Sequence, residues 1–237
     1  MIVSEPDDVR AVFEDPLFEV PTAPPAEAGI GWLRATVSRF SNGDLHARRR
    51  LFVEHELERL DRVDLRVMAA ELAGSFEARD VPLAVLCTRL GVEPAALSHA
   101  VADARAVASA YPLDKNVTED ADAATGRLVT LLGPAADELT AARIALLAQA
   151  GAATGALIDS ALERLNADPR QPVEQVLADT LEREPPVATT RRVRAGETVV
   201  LDLAAAQLPF GHGPRACPGR EQSLAIALGV LDASAHR

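Results

Sequence analysis

Along most of the chain apolar residues recur at three- and four-residue intervals, the spacing that lines one face of an α-helix. In residues 4–14 Val9, Val12 and Phe13 form such a stripe behind an acidic first turn, with Ser4 or Asp7 placed to cap it. Residues 15–21 lead out in extended form, and 23–26 hold two prolines in a loop. Residues 32–40 fit either a short helix or part of a lid. A helix follows over 44–59, then three or four short ones between 63 and 110. Among these, Leu90-Gly91-Val92 stops one helix and Pro94 opens the next. A polar break at 111–120 precedes helical stretches at 121–132, 135–165 and 172–187, and the chain closes on an apolar helix over 221–231. Only residues 187–203 change period: they read as two strands joined at Gly196, the second alternating with period two. The pattern predicts a mainly α fold with a small β element.

Composition narrows the class. The 237 residues are 48% hydrophobic with only six Phe, one Tyr and one Trp, so the core is built from Ala, Leu and Val. A net charge of −11 argues against nucleic acid as a partner. Cys87 and Cys217 make no disulfide framework; Cys87 falls on the apolar stripe of Val85, Leu86 and Leu90 and reads as core. No apolar run is read as a membrane span, and the first residues lack the basic and apolar regions of a secretory signal, so a reducing cytoplasm is expected.

Three stretches carry candidate chemistry. Residues 210–219, Phe-Gly-His-Gly-Pro-Arg-Ala-Cys-Pro-Gly, run directly into the last helix. A thiolate at Cys217, just ahead of a helix N-terminus, is expected to have a lowered pKa and to ligate metal, as in a thiolate-bound iron. Gly213 and Gly219 let the backbone turn and approach a flat ring, Phe210 can cover its sulfur side, and Arg215 can reach an anionic edge. The alternative is an ordinary buried thiol in a capping loop. Second, His46 and Arg50 stand four apart on one helical face, where both reach one anion, or else belong to a solvated basic face with Arg48 and Arg49. Third, Gly151 and Gly155 interrupt the long helix and mark a close approach, either of a flat cofactor or of another helix.

The loop at 210–219 closely resembles the heme-binding loop of the cytochrome P-450 family, Phe-x-x-Gly-x-x-x-Cys-x-Gly, with Phe210, Gly213, Cys217 and Gly219 on its fixed positions and Arg215 on its basic one. His46 and Arg50 are similar to the family's His-x-x-x-Arg pair that holds the heme propionates, and Arg192 to a further propionate arginine. Ala150, Gly151 and Thr154 match the distal helix motif Ala/Gly-Gly-x-Asp/Glu-Thr. The resemblance implies a single domain over residues 1–237 around heme b, with Cys217 as iron ligand and Thr154 as a catalytic hydroxyl. It further implies monooxygenase-type oxidation of a small, specialised-metabolite substrate, with a ferredoxin-type electron donor.

The departures are as informative. Ala153 stands where the family has the acid that helps bring protons to oxygen, and the Glu-x-x-Arg pair aligns, through Pro185-Pro186-Val187, with Asp179 and Glu182. Arg183 is then expected to pair with Asp179 instead. The roof helices are short. These changes leave open a peroxide-driven or non-redox heme-thiolate enzyme, a helper subunit of another enzyme, or a heme sensor, and an open roof is compatible with a homo-oligomer.

Overall fold

In the computed structural model, which describes residues 1–235, the hydrophobic pattern resolves into ten α-helices and a three-stranded sheet. In chain order the helices are α1 (Pro6–Glu14), α2 (Gly29–Thr36), α3 (Gly43–Glu58), α4 (Arg62–Leu72), α5 (Val81–Arg89), α6 (Leu97–Ala110), α7 (Glu119–Leu132), α8 (Glu138–Ala167), α9 (Val173–Arg183) and α10 (Arg220–Ala235). An extended Val37 separates α2 from a 3-10 turn at Ser38–Phe40, so the stretch offered as helix or lid is a helix end followed by a helical turn. Side-chain caps are at Asp61 for α4, Thr118 for α7 and Asp137 for α8. Neither Ser4 nor Asp7 caps α1: Glu5 holds that position, with Pro6 next and no side-chain bond.

The strands are β1 (Ile2–Val3), β2 (Thr189–Arg194) and β3 (Glu197–Asp202). The hairpin at Gly196 is as the sequence indicates, with Gly196 at φ +83°. The sequence pattern gave no sign of β1, which pairs parallel to β3 through Ile2 with Val200 and Val3 with Leu201, giving the order β1-β3-β2. Two residues are too few to show a period, so only the partner strand makes them a strand. Val199 and Leu201 face a small second core with Val9, Phe13, Leu203 and Ala206.

The main core surrounds α8, which is packed by α3, α5, α6, α7, α9 and α10. Contact on so many sides explains its composition. It is long and apolar enough to cross a membrane, contrary to the sequence reading, but 61% of its most apolar window is buried within the protein. Cys87 is fully buried as expected, and burial pushes its thiol up to about 12.

The last helix docks on α4 at Gly229. A Cβ there would lie 2.1 Å from the Arg66 carbonyl oxygen and 2.8 Å from the Ala69 Cβ, so glycine sets how closely the two helices approach. Nearby, Arg66 bonds Asp232 through Nε at 2.6 Å. Gly229→Ala is therefore expected to destabilise the protein by about 1–3 kcal/mol through overpacking. Gly126→Ala on α7, where a Cβ meets nothing within 4 Å, should stabilise it by about 0.5–1 kcal/mol. Urea denaturation midpoints of the two variants measure both.

Candidate functional site

The cysteine loop is closed by its own backbone. The Cys217 N–H donates to the Phe210 carbonyl at 2.8 Å and the Ala216 N–H to Gly213 at 3.0 Å, around a 3-10 turn at Gly213–Arg215. Gly211 and Gly213 adopt φ of +70° and +63°, the left-handed region that glycine enters without strain. Gly219 does not need this freedom, and a Cβ there would only touch Leu57 at 3.6 Å. Its N–H instead acts to lower the Cys217 pKa. Phe210 carries the Arg220 guanidinium over its ring at 5.3 Å. His212 lies outside the cluster, bonded to Glu14 at 2.8 Å.

The thiol does not behave as its position before a helix suggested. Burial pushes the Cys217 pKa up, while the Gly219 N–H and the charges of Arg50 and Arg39 act against the rise without overcoming it. Cys217 nevertheless keeps an exposed surface. In the free protein the proton stays on sulfur at neutral pH, and a bound cation is what would displace it.

Four groups converge beside this loop. Arg50 donates to the Ala216 carbonyl at 2.8 Å, one residue before the cysteine, and to Glu54 at 2.8 Å. Arg215 donates to the Ser41 carbonyl at 2.6 Å and to Asn42 Oδ1 at 2.9 Å. Asn42, which nothing in the sequence singled out, also pairs with the backbone of Val20 through both ends of its amide. Burial, then the charges of Arg215 and Arg50, lower the His46 pKa to about 4, so its imidazole is neutral.

Arg192 completes the group, and it is the buried one of three neighbouring arginines. Arg192 pairs across the hairpin with Val199, on the buried face. Arg191 and Arg194 are exposed and reach Asp114 at 3.4 Å and Asp15 at 3.6 Å. Arg192 is 4% exposed, stacks on Phe13 at 4.7 Å, and donates to the Arg191 carbonyl at 2.8 Å. Among the described residues no carboxylate lies within ion-pair distance of either Arg192 or Arg215. Desolvation and then Arg215 lower the Arg192 pKa to about 10; desolvation and then Arg50 lower that of Arg215, with Glu19 opposing from a distance. Two guanidinium charges are thus held together, one of them buried, without counter-ions, an arrangement that costs several kcal/mol unless an anion completes it.

The α8 side differs from expectation. Gly151 is needed because a Cβ there would sit 2.9 Å from Leu83 Cδ2, and Gly155 because one would sit 2.7 Å from the Arg79 carbonyl oxygen. Both glycines serve helix packing, the alternative that sequence left open. Ala150 is partly buried against the core. The Thr154 hydroxyl is buried and shares a hydrogen bond of 3.0 Å with Ser223 on α10. Between them Ala152 is exposed in the middle of an otherwise buried helix.

Two further expectations are corrected. Asp179 takes its hydrogen bonds from Gln171 at 2.9 Å and Gln175 at 2.6 Å rather than from Arg183, and Glu182 and Arg183 are exposed. Arg49, assigned to the surface, is mostly buried and joins three elements through the Ala35 carbonyl, the Ser41 hydroxyl and Glu138. Arg48 is exposed and also reaches Glu138.

A mainly helical body around one long central helix, with a cysteine loop feeding the last helix and an arginine strand beside it, defines the cytochrome P450 fold in a shortened form. Solved structures of that fold match nearly the whole chain. P450 RauA, complexed with a biosynthetic intermediate of aurachin RE, matches at 17% identity over 100% of this chain and 83% of its own, with a TM-score of 0.76. Substrate-free CYP109E1 from Bacillus megaterium matches at 16% identity over 98% and 83%, also with a TM-score of 0.76. P450BioI, in complex with an acyl carrier protein ligated to hexadec-9Z-enoic acid, matches at 16% identity over 98% and 83%, with a TM-score of 0.71. No family model and no curated protein matches the sequence.

The residues around Cys217 fit a heme. Its two carboxylates would answer the two uncompensated guanidinium charges of Arg192 and Arg215, and its iron would take the sulfur. Arg192→Met is expected to stabilise the ligand-free protein by about 1–3 kcal/mol, by removing an uncompensated buried cation, while weakening hemin binding at least tenfold. Denaturation and hemin titration read the opposite signs. His46 binds a proton less readily when folded, so the unfolded chain takes up more protons between about pH 4 and the usual 6.5. The ligand-free protein should therefore lose on the order of 1–3 kcal/mol as pH falls through that window. In His46→Gln the slope of stability against pH should flatten.

Proposed function

We propose that the protein is a heme-thiolate oxidoreductase acting on a small molecule, with one heme b held in a single domain. The unpaired, buried Arg192 beside Arg215 is the observation that carries this reading, because a stable fold retains such a pair most readily when a dianion resides there. In this reading Cys217 ligates iron through its thiolate, and His46, Arg50, Arg192 and Arg215 hold the propionates. The Gly219 N–H, which favours the ionised sulfur, would temper the thiolate's electron donation. The heme supplies oxidising chemistry whose strength the thiolate tunes.

The oxidant we favour is hydrogen peroxide. Oxidation by dioxygen needs two electrons and two protons from outside for each oxygen atom inserted, one atom leaving as water. Ala153 offers no carboxylate to pass those protons, and the Thr154 hydroxyl is engaged by Ser223. Peroxide brings the electrons and protons with it: substrate and peroxide give hydroxylated substrate and water. A ferredoxin-type donor and the conventional monooxygenase cycle form the alternative.

The decisive measurement is the absorption spectrum of the reduced, carbon monoxide-treated protein after hemin loading. A thiolate-type red-shifted band that disappears in Cys217→Ser is expected, and failure to bind hemin, or a band indifferent to the substitution, overturns the assignment. Turnover with peroxide alone, against turnover only with reductase and ferredoxin, then separates the two oxidants.

A further inference from the structure

We propose that Asn42 is the positioning residue for a ligand bearing two carboxylates: it fixes Arg215 relative to Arg192 and, being neutral, leaves both guanidinium charges to that ligand. The identity of the ligand rests on the heme-thiolate reading. The positioning stands on the hydrogen bonds of Asn42 itself.

Asn42 occupies the N-cap position of α3, where an asparagine ordinarily accepts a hydrogen bond from the first turn of its own helix. Here it makes no such bond. The amide is turned away from its helix: Oδ1 accepts from the Val20 N–H at 2.9 Å and from Arg215 Nη2 at 2.9 Å, while Nδ2 donates to the Val20 carbonyl at 3.0 Å. Turned round, Nδ2 would face two donors, so these partners fix its orientation. A favoured cap is given up for a junction between two distant segments.

That junction leads on to Arg192 along the backbone. Glu19, next to Val20, exchanges two hydrogen bonds with Val193, at 2.9 and 2.7 Å, and Val193 adjoins Arg192 on β2. A second route runs through Phe13, whose ring carries the Arg192 guanidinium. Phe13 also meets the cysteine loop: a Cβ at Gly211 would lie 3.6 Å from its Cζ, and one at Gly213 3.9 Å from its carbonyl oxygen. Arg192 and Arg215 are therefore located against each other twice, through Asn42 and through Phe13. Two guanidinium forks of preset spacing suit two carboxylates carried on one rigid body, because the ordering is done before the ligand arrives.

Charge decides the residue type. Aspartate has the same shape and caps helices equally well. At position 42 it would pair Arg215 and turn a second acceptor against the Val20 carbonyl. Asparagine holds the fork without neutralising it.

The test compares iron-free protoporphyrin IX, which carries two propionates, with its dimethyl ester, by fluorescence titration in one detergent buffer. The diacid is expected to bind roughly tenfold more tightly, because the ester groups forfeit both charge-assisted pairs. Asn42→Ala and Asn42→Asp should each remove most of that preference while affinity for the diester holds. A merely structural role would weaken both porphyrins alike. That result, or a preference intact in either variant, overturns the proposal. Because the probe lacks iron, the heme-thiolate reading fails separately: a hemin spectrum indifferent to Cys217→Ser sinks that reading, and a diacid preference lost in the Asn42 variants still supports the positioning role. Should the protein refuse both porphyrins, the arginine pair is probed with sulfate against sodium chloride of equal ionic strength. A rise in the urea midpoint that shrinks in both Arg192→Gln and Asn42→Asp supports the role; no rise, or one indifferent to Asn42→Asp, overturns it.

Discussion

Two guanidinium groups, Arg192 and Arg215, are held close together with no carboxylate among the described residues paired to either, and the segments around the cysteine loop hold them so. Like charges in a low dielectric repel strongly, so their persistence needs a rigid frame. Strand pairing supplies it for Arg192, whose partner Val199 faces the small core. The backbone of Ser41 and the amide of Asn42 supply it for Arg215. The same Asn42 anchors Val20, and Arg50 reaches the carbonyl next to Cys217, so one network ties α3, the early extended segment and the cysteine loop together.

The α8 face shows the opposite arrangement. Where a reactive face would be polar, this helix presents alanines, its threonine is satisfied by Ser223, and its glycines are filled by Leu83 and the Arg79 backbone. Gln149, ahead of this stretch, takes a hydrogen bond from Arg39 on the turn after α2.

The likeness to solved cytochrome P450 structures, at TM-scores of 0.71–0.76 and 16–17% identity for the three compared, says that this frame survives while most side chains change. Helix packing tolerates such divergence because it needs apolar volume and a few small residues at close crossings, as at Gly229 against α4. An ion pair is less tolerant. With Asp179 turned to Gln171 and Gln175, the position that the family gives to a buried bridge is here an ordinary surface hydrogen-bond group.

The sequence by itself determined the helices, the hairpin at Gly196 and the cysteine loop, because each follows from short-range rules: apolar period, capping chemistry and glycine's access to positive φ. It also named His46, Arg50, Arg192 and Arg215, but not why Arg192 rather than Arg191 or Arg194. Register decided against Arg191, which alternation puts on the opposite face, while Arg194 shares the face of Arg192 but lies at the exposed end of the hairpin opposite Glu197. The tertiary structure alone decided that β1 exists, that the Cys217 thiol is raised rather than lowered, and that Gly151 serves packing. Each depends on what distant segments place beside a residue. Desolvation and counter-charge are properties of that surrounding volume, which no local pattern in the chain encodes.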